Sequence, residues 1–165
     1  MKKKAPIISV FCLFLMLAGF DVLPMSDYKP VFMQRSEMEK SVKMETARDI
    51  KNPGKIYIKG DTIFINEKYR GIHVIDNSNP ETPDNIAFIQ VDGCIDMAMK
   101  EDILYADNAV DLIALSINNN FTSVEVKSRA KNVFPELMAP NGRSLTGKEQ
   151  QARPLNTVLV RWEKY

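Results

Sequence analysis

The apolar residues in the middle of the chain fall into short runs. Lys55-Ile56-Tyr57-Ile58-Lys59, Thr62-Ile63-Phe64-Ile65-Asn66, Gly71-Ile72-His73-Val74-Ile75-Asp76 and Ile86-Ala87-Phe88-Ile89-Gln90-Val91 are rich in β-branched and aromatic residues. Gly60-Asp61, Tyr69-Arg70-Gly71 and the turn-rich stretch Asn77 to Pro83 separate them. Runs of this kind bounded by turn residues predict strands, here four in one antiparallel meander. Residues 21–53 are polar and irregular and predict a surface arm or cap. Within it Ser36 and Glu39 have capping-box spacing, with Met38 and Val42 following at helical spacing, which predicts a short helix over 37–45. One more strand, Thr157 to Trp162, follows a loop rich in Pro and Gly from Pro135 to Pro154.

The meander recurs. Lys59-Gly60-Asp61-Thr62-Ile63-Phe64-Ile65-Asn66 lines up with Lys100-Glu101-Asp102-Ile103-Leu104-Tyr105-Ala106-Asp107, 41 positions on. Gly71 to Asp76 lines up with Asp111 to Ser116 at a distance of 40. A fixed period of this size, with strands inside each unit, marks β-propeller blades.

Gly71-Ile72-His73-Val74-Ile75-Asp76-Asn77-Ser78-Asn79-Pro80 resembles the signature of LVIVD-repeat proteins, in which a glycine-led apolar strand ends in Asp and then Ser-Asn-Pro. Asp96-Met97-Ala98-Met99 followed by Ile103-Leu104-Tyr105-Ala106-Asp107 resembles the start of the next repeat. The resemblance covers roughly residues 54–127 and implies propeller blades in an envelope or secreted protein of undefined activity. The second unit departs from it, since Ser116-Ile117-Asn118-Asn119 lacks both the Asp and the Pro.

Both faces of the first unit are apolar: Ile56 and Ile58 oppose Tyr57, and Ile63 and Ile65 oppose Phe64. A sheet with one wet face alternates apolar with polar residues, so each unit here requires a neighbour on both sides. Two units share one interface and leave two apolar faces open. Propellers usually carry four or more blades, which residues 54–165 are too few to supply. Copies that associate, a partner on the open faces, or a shortened relative of a longer protein would each account for this, and the third is favoured.

The N-terminus adds an address. Met1-Lys2-Lys3-Lys4 precedes Ala5 to Phe20, a run without charge that ends at Asp21, with Pro24 behind it. A cationic start and a short apolar run predict a secretory signal peptide, since a spanning helix needs about 20 apolar residues. Leu17-Ala18-Gly19 reads like part of a lipoprotein box, but Phe20 stands where the lipid-accepting cysteine belongs. Cleavage after Gly19 would remove three lysines and Cys12, lower the net charge from +1 to −2 and leave Cys94 as the single cysteine. No internal disulfide could then form.

Composition narrows the chemistry. Lys and Arg number 22 against 21 Asp and Glu, which excludes the basic footprint of a general nucleic-acid binder. One histidine and two cysteines exclude most zinc and histidine-based catalytic sets. Gly142 to Lys148 has phosphate-loop spacing, but Glu149 replaces the magnesium-binding hydroxyl and Pro135 and Pro140 break the approach. Asp76-Asn77-Ser78-Asn79 begins like a calcium loop yet lacks the glycine and the distal glutamate, and reads as turn residues. His73 reads as a packed histidine, Cys94 as a buried packing residue, and Met97 and Met99 as core filler on one strand face. Asn120-Phe121-Thr122 is a glycosylation sequon that matters only in a host able to use it. Tyr57, Tyr69, Tyr105 and Trp162 are candidates for a recognition surface or for packing.

The predicted architecture is therefore all-β: antiparallel four-stranded propeller-blade repeats, about two blades of an incomplete propeller, with an N-terminal signal helix and a short helical arm. Its parts are a signal peptide (1–20), the arm (21–53), a first blade (54–93), a second blade (94–134), and a loop with a C-terminal strand (135–165). No catalytic, cofactor-binding or metal-binding residue is expected. The predicted function is that of an exported cell-envelope protein, periplasmic, outer-membrane-associated or on the cell surface. It would bind a protein, a surface ligand or its own copies through open blade faces, with no nucleic-acid partner and membrane contact only through the N-terminal segment. The alternatives are a truncated remnant of a longer propeller protein with little independent function, and a subunit of a propeller enzyme. The enzyme would need His73, or Asp92, Asp96 and Asp107, to converge.

Overall fold

The computed structural model describes residues 27–165; the expected signal segment, Cys12 and Phe20 lie outside the described residues. Antiparallel strands dominate. The first unit is a meander of β3 (Pro53–Lys59), β4 (Thr62–Glu67), β5 (Gly71–Asp76) and β6 (Asp84–Gln90). The second unit is a meander of β7 (Met97–Lys100), β8 (Ile103–Asn108), β9 (Asp111–Ile117) and β10 (Val124–Ala130). The register carries the sequence period into space, since Lys59 pairs with Thr62 across the first hairpin as Lys100 pairs with Ile103 across the second.

The two sheets stack face to face with their strands in the same order, β3 over β7 at one edge and β10 by the opposite edge of the first sheet. Strand alternation decides which side chains meet. Phe64, Ile72, Val74, Ala87 and Ile89 of the first sheet are buried against Met97, Leu104, Ala106, Ile113 and Leu115 of the second. Val91 and Cys94 on the connection complete this core. Tyr57 and Met99 pack at its margin, and the Tyr57 hydroxyl donates to the Met99 carbonyl at 3.3 Å. Two sheets packed face to face bury their inner apolar side chains in this way.

The segment before the first unit departs from the surface arm expected of it. The helix α1 spans Arg35–Lys40 and ends before 45. Ser36 does not cap it, because Gln34 holds the N-cap position and makes no capping bond. Glu39 instead pairs with Arg35 and Lys131. Residues Lys43–Thr46 form β2, which adds to the outer edge of β6 and makes the first sheet five-stranded. Val42 and Met44 then pack against the intersheet core, and burying them there, with a ladder of backbone bonds, outweighs one more helical turn.

β1 (Tyr28–Gln34) pairs with β11 (Thr157–Lys164), so the C-terminal strand joins the start of the described chain in a two-stranded ribbon. An isolated ribbon is marginal in water, and this one is apolar on both faces. Val158, Val160, Val31 and Met33 pack on Met38 and on the β8–β9 turn at Ala109-Val110. Leu159, Trp162, Tyr28 and Phe32 pack on Leu137, Ala139 and Tyr69. Among the described residues the three sheets do not close into a ring or barrel.

Candidate functional site

Gly60 and Glu101, 41 positions apart, take the same place in the two tight hairpin turns, both with φ 55°. Gly142, a further 41 positions on, also has positive φ, 81°, but it ends a turn that starts at Ala139 and joins no strands. The connection after each unit also starts alike. The Gly93 amide donates to the Tyr69 carbonyl at 3.0 Å, and one repeat later the Phe134 amide donates to the Val110 carbonyl at 3.0 Å. Residues 134–142 thus start with a bond like that of the connection after the first unit, and then turn aside. Trp162 Nε1 donates to the Leu137 carbonyl at 3.0 Å and the Tyr69 hydroxyl to the Met138 carbonyl at 3.3 Å, drawing the segment onto the ribbon. Pro140 has no amide to give a ladder, and Ala139 closes a tight turn with Gly142 and Arg143.

An open cleft of about 1130 Å³ lies on the outer face of the second sheet. Its floor is the outer face of the second sheet, with Ala98, Tyr105, Asp107 and Leu112; its wall is Phe134, Leu137, Met138 and Leu145. Arg143 braces the wall, bonding the Tyr28 carbonyl at 2.6 Å, both Glu149 oxygens at 2.8 Å, and lying 4.5 Å over the Trp162 ring. Thr146 and Glu149 form a reciprocal capping box on α2 (Gly147–Gln151). The hydrogen bonds from Arg143 hold the Glu149 carboxyl down at about 2. This stretch had phosphate-loop spacing, and its residues are engaged in building the wall.

The acidic candidates are tied to structural tasks. Asp107 Oδ1 accepts from the Ile95 and Asp96 amides at 2.9 and 2.8 Å, and burial pushes its pKa above the usual carboxylate range. Asp96 pairs with Lys55 at 2.6 Å. Asp92 accepts from the Gln90 side chain at 3.0 Å. His73 lies on the outer face of the first sheet, on the far side of the stack from the cleft. It is fully buried, edge-on to Phe88 with centroids 4.9 Å apart, and Nε2 stands 3.2 Å from Glu67 Oε2. The structure therefore brings Asp96 and Asp107 together but keeps His73 away from them.

Other sequence candidates are placed plainly. Asp76 Oδ1 accepts the Ser78 amide and Asn79 Oδ1 the Glu81 amide, the turn chemistry expected of those residues. Cys94 is buried beside Asn66, 3.2 Å from its Nδ2, and burial pushes the thiol well up. Asn120 is exposed in the β9–β10 turn, Met97 and Met99 share the intersheet core, and Tyr57, Tyr69 and Trp162 pack, leaving Tyr105 in the cleft. Among the described residues no group of three or more His, Cys, Asp or Glu could hold a metal ion, and no helix is long and apolar enough to cross a membrane.

The cleft wall is what sequence reasoning missed. Its signal was present as Met138-Ala139, one repeat period after Met97-Ala98, and as Gly142, one period after Glu101.

No family model, curated protein or solved structure matches this chain.

Proposed function

We propose that this chain is an exported cell-envelope protein whose propeller-type repeats form a binding module for a protein or surface ligand. The observation that carries the reading is the cleft: an apolar floor and wall left open where the repeat period would place another unit. Sites that bind by shape are concave and mainly apolar with few polar groups, and this one has that character. The matching hairpin turns at 60 and 101 support a repeat of the LVIVD kind, and the cationic, apolar N-terminal sequence supports export. The outer face of the first sheet is also open along β3, with Ile56 and Ile58 at 62% and 63% exposure.

Photo-crosslinking tests the reading. A benzophenone amino acid replaces Leu112 on the cleft floor and, as a control, Lys127 on the exposed edge strand, in the full chain expressed in envelope-bearing cells. The expected result is a discrete adduct from position 112 and none from 127. An absence of adducts from 112 at normal expression, or equal labelling from both positions, overturns the module.

A further inference from the structure

Resting on the reading that the open faces bind, we propose that the partner is a second copy of this chain, docked head to tail, the outer face of its first sheet on the outer face of the second sheet. The contact within one chain is the template. Met97, Met99, Leu104 and Ala106 of the second sheet are packed against the first sheet. One period earlier stand Ile56, Ile58, Ile63 and Ile65, which occupy the same places in the first sheet and face the open side. The receiving side is repeated too. Tyr57, Phe64 and Val74 on the inner face of the first sheet correspond to Ala98, Tyr105 and Ala114 on the outer face of the second. That receiving face is trimmed at two positions to alanine, which leaves room for branched isoleucines.

Charge follows the same rule. Within the chain Lys59 Nζ reaches across the stack to Asp102 Oδ1 and the Glu101 carbonyl, both at 2.5 Å. One period on from Lys59 is Lys100, and one period before Asp102 is Asp61. Both are exposed, and neither has an ion-pair partner among the described residues. In the head-to-tail contact Lys100 of one copy meets Asp61 of the next. The contact uses the β3–β4 part of the first face and the part of the second beside the Glu101 turn. Residues 47–52 cross the first face over β5 and β6, where Arg48 lies 3.3 Å over the Phe88 ring and its carbonyl accepts from Asn85, and the wall at 134–146 borders the second face from the side of Leu112 and Asp107. A heterologous contact of this kind closes into a ring or runs on as a filament according to its rotation.

Sedimentation velocity on the purified full chain, with circular dichroism to verify the fold, is the test. The wild type is expected to gain mass with concentration. Ile58→Glu blocks the donating face and Lys100→Glu the receiving face, so each alone is expected to be monomeric. Mixing the two restores a dimer, because each retains the face the other has lost. The double variant Lys100→Glu with Asp61→Lys re-forms the ion pair with reversed sign and associates again. A folded wild type that stays monomeric at all concentrations overturns the proposal. So does association that survives both single substitutions, as does a mixture that remains monomeric, which would indicate an isologous contact. A monomeric chain that still yields a position-112 adduct with a different protein sinks self-association and leaves the binding module standing; the loss of both sinks the module.

Discussion

Arg35 on α1 holds Asp111 at the start of β9 through two hydrogen bonds of 2.6 and 2.8 Å, joining residues 76 positions apart. Asp111 is fully enclosed and also accepts from Arg129 Nη1 at 2.9 Å and from the Asn132 amide at 3.0 Å. Burial opposes its ionisation, yet the amide and the two guanidinium groups together hold its carboxyl below the usual range. One carboxylate therefore ties the helix, the second sheet and the start of the third connection together.

Asp111→Asn removes the charge and leaves two guanidinium groups facing each other. Breaking a buried pair by removing one partner costs on the order of 3–5 kcal/mol. Arg35 retains about a quarter of its side-chain exposure, so water relieves part of this and the lower end is expected. Urea unfolding of the two proteins checks it: a midpoint shift matching less than about 1 kcal/mol would show the network to be a solvated surface pair.

Glycines separate two kinds of constraint. Gly71 has φ 145°, and a Cβ there would stand 2.0 Å from the Ile89 carbonyl oxygen. Gly142 has φ 81° with nothing within 4 Å. Gly71→Ala is expected to abolish the cooperative fold of the first sheet, because backbone must move. Gly142→Ala costs only the strain of a left-handed residue, about 1 kcal/mol. Thermal melts of both variants decide the point; equal losses would contradict the close approach at Gly71.

Trp162 shows how the cleft wall is held. It is 5% exposed and its indole is the donor to the Leu137 carbonyl. Trp162→Phe keeps an aromatic ring but strands that carbonyl, at about 1–3 kcal/mol. The prediction is a local loss: amides of residues 137–139 exchange faster with deuterium while those of β5 and β9 keep their protection. Uniform acceleration across all three would indicate that the wall is not a separable part of the fold.

The strands and the intersheet core were legible in the sequence because β-branched runs, turn residues and the repeat spacing all agree. Ile56 and Ile58 on one side and Tyr57 on the other could be assigned before any coordinates. The ribbon was not legible, since Lys29-Pro30-Val31-Phe32-Met33 has no neighbour in sequence to pair with and its partner strand lies at the far end of the chain. β2 was hidden by capping-box spacing at Ser36 and Glu39, a local preference that the sheet edge and Arg35 override. The cleft wall was hidden by Pro140, which breaks any strand pattern in residues 134–146.

The last prediction concerns acid. Glu149 holds its proton only near pH 2, against an ordinary value of 4.5, because Arg143 donates to both oxygens and Thr146 adds its amide and hydroxyl. The folded-state value is depressed, so the pairing stabilises the wall fully above the unfolded pKa of about 4.5. That contribution is lost as pH falls from there toward 2. Both side chains are about one-fifth exposed, so solvent screening makes the effect smaller than the shift alone implies. Glu149→Gln is therefore less stable than the wild type at pH 6, and the gap closes steadily between pH 4.5 and 2. Urea midpoints for the two proteins across that range provide the measurement. A gap that stays constant with pH would mean that Glu149 acts through its shape and capping bonds, and that its charge contributes nothing to the brace on Arg143.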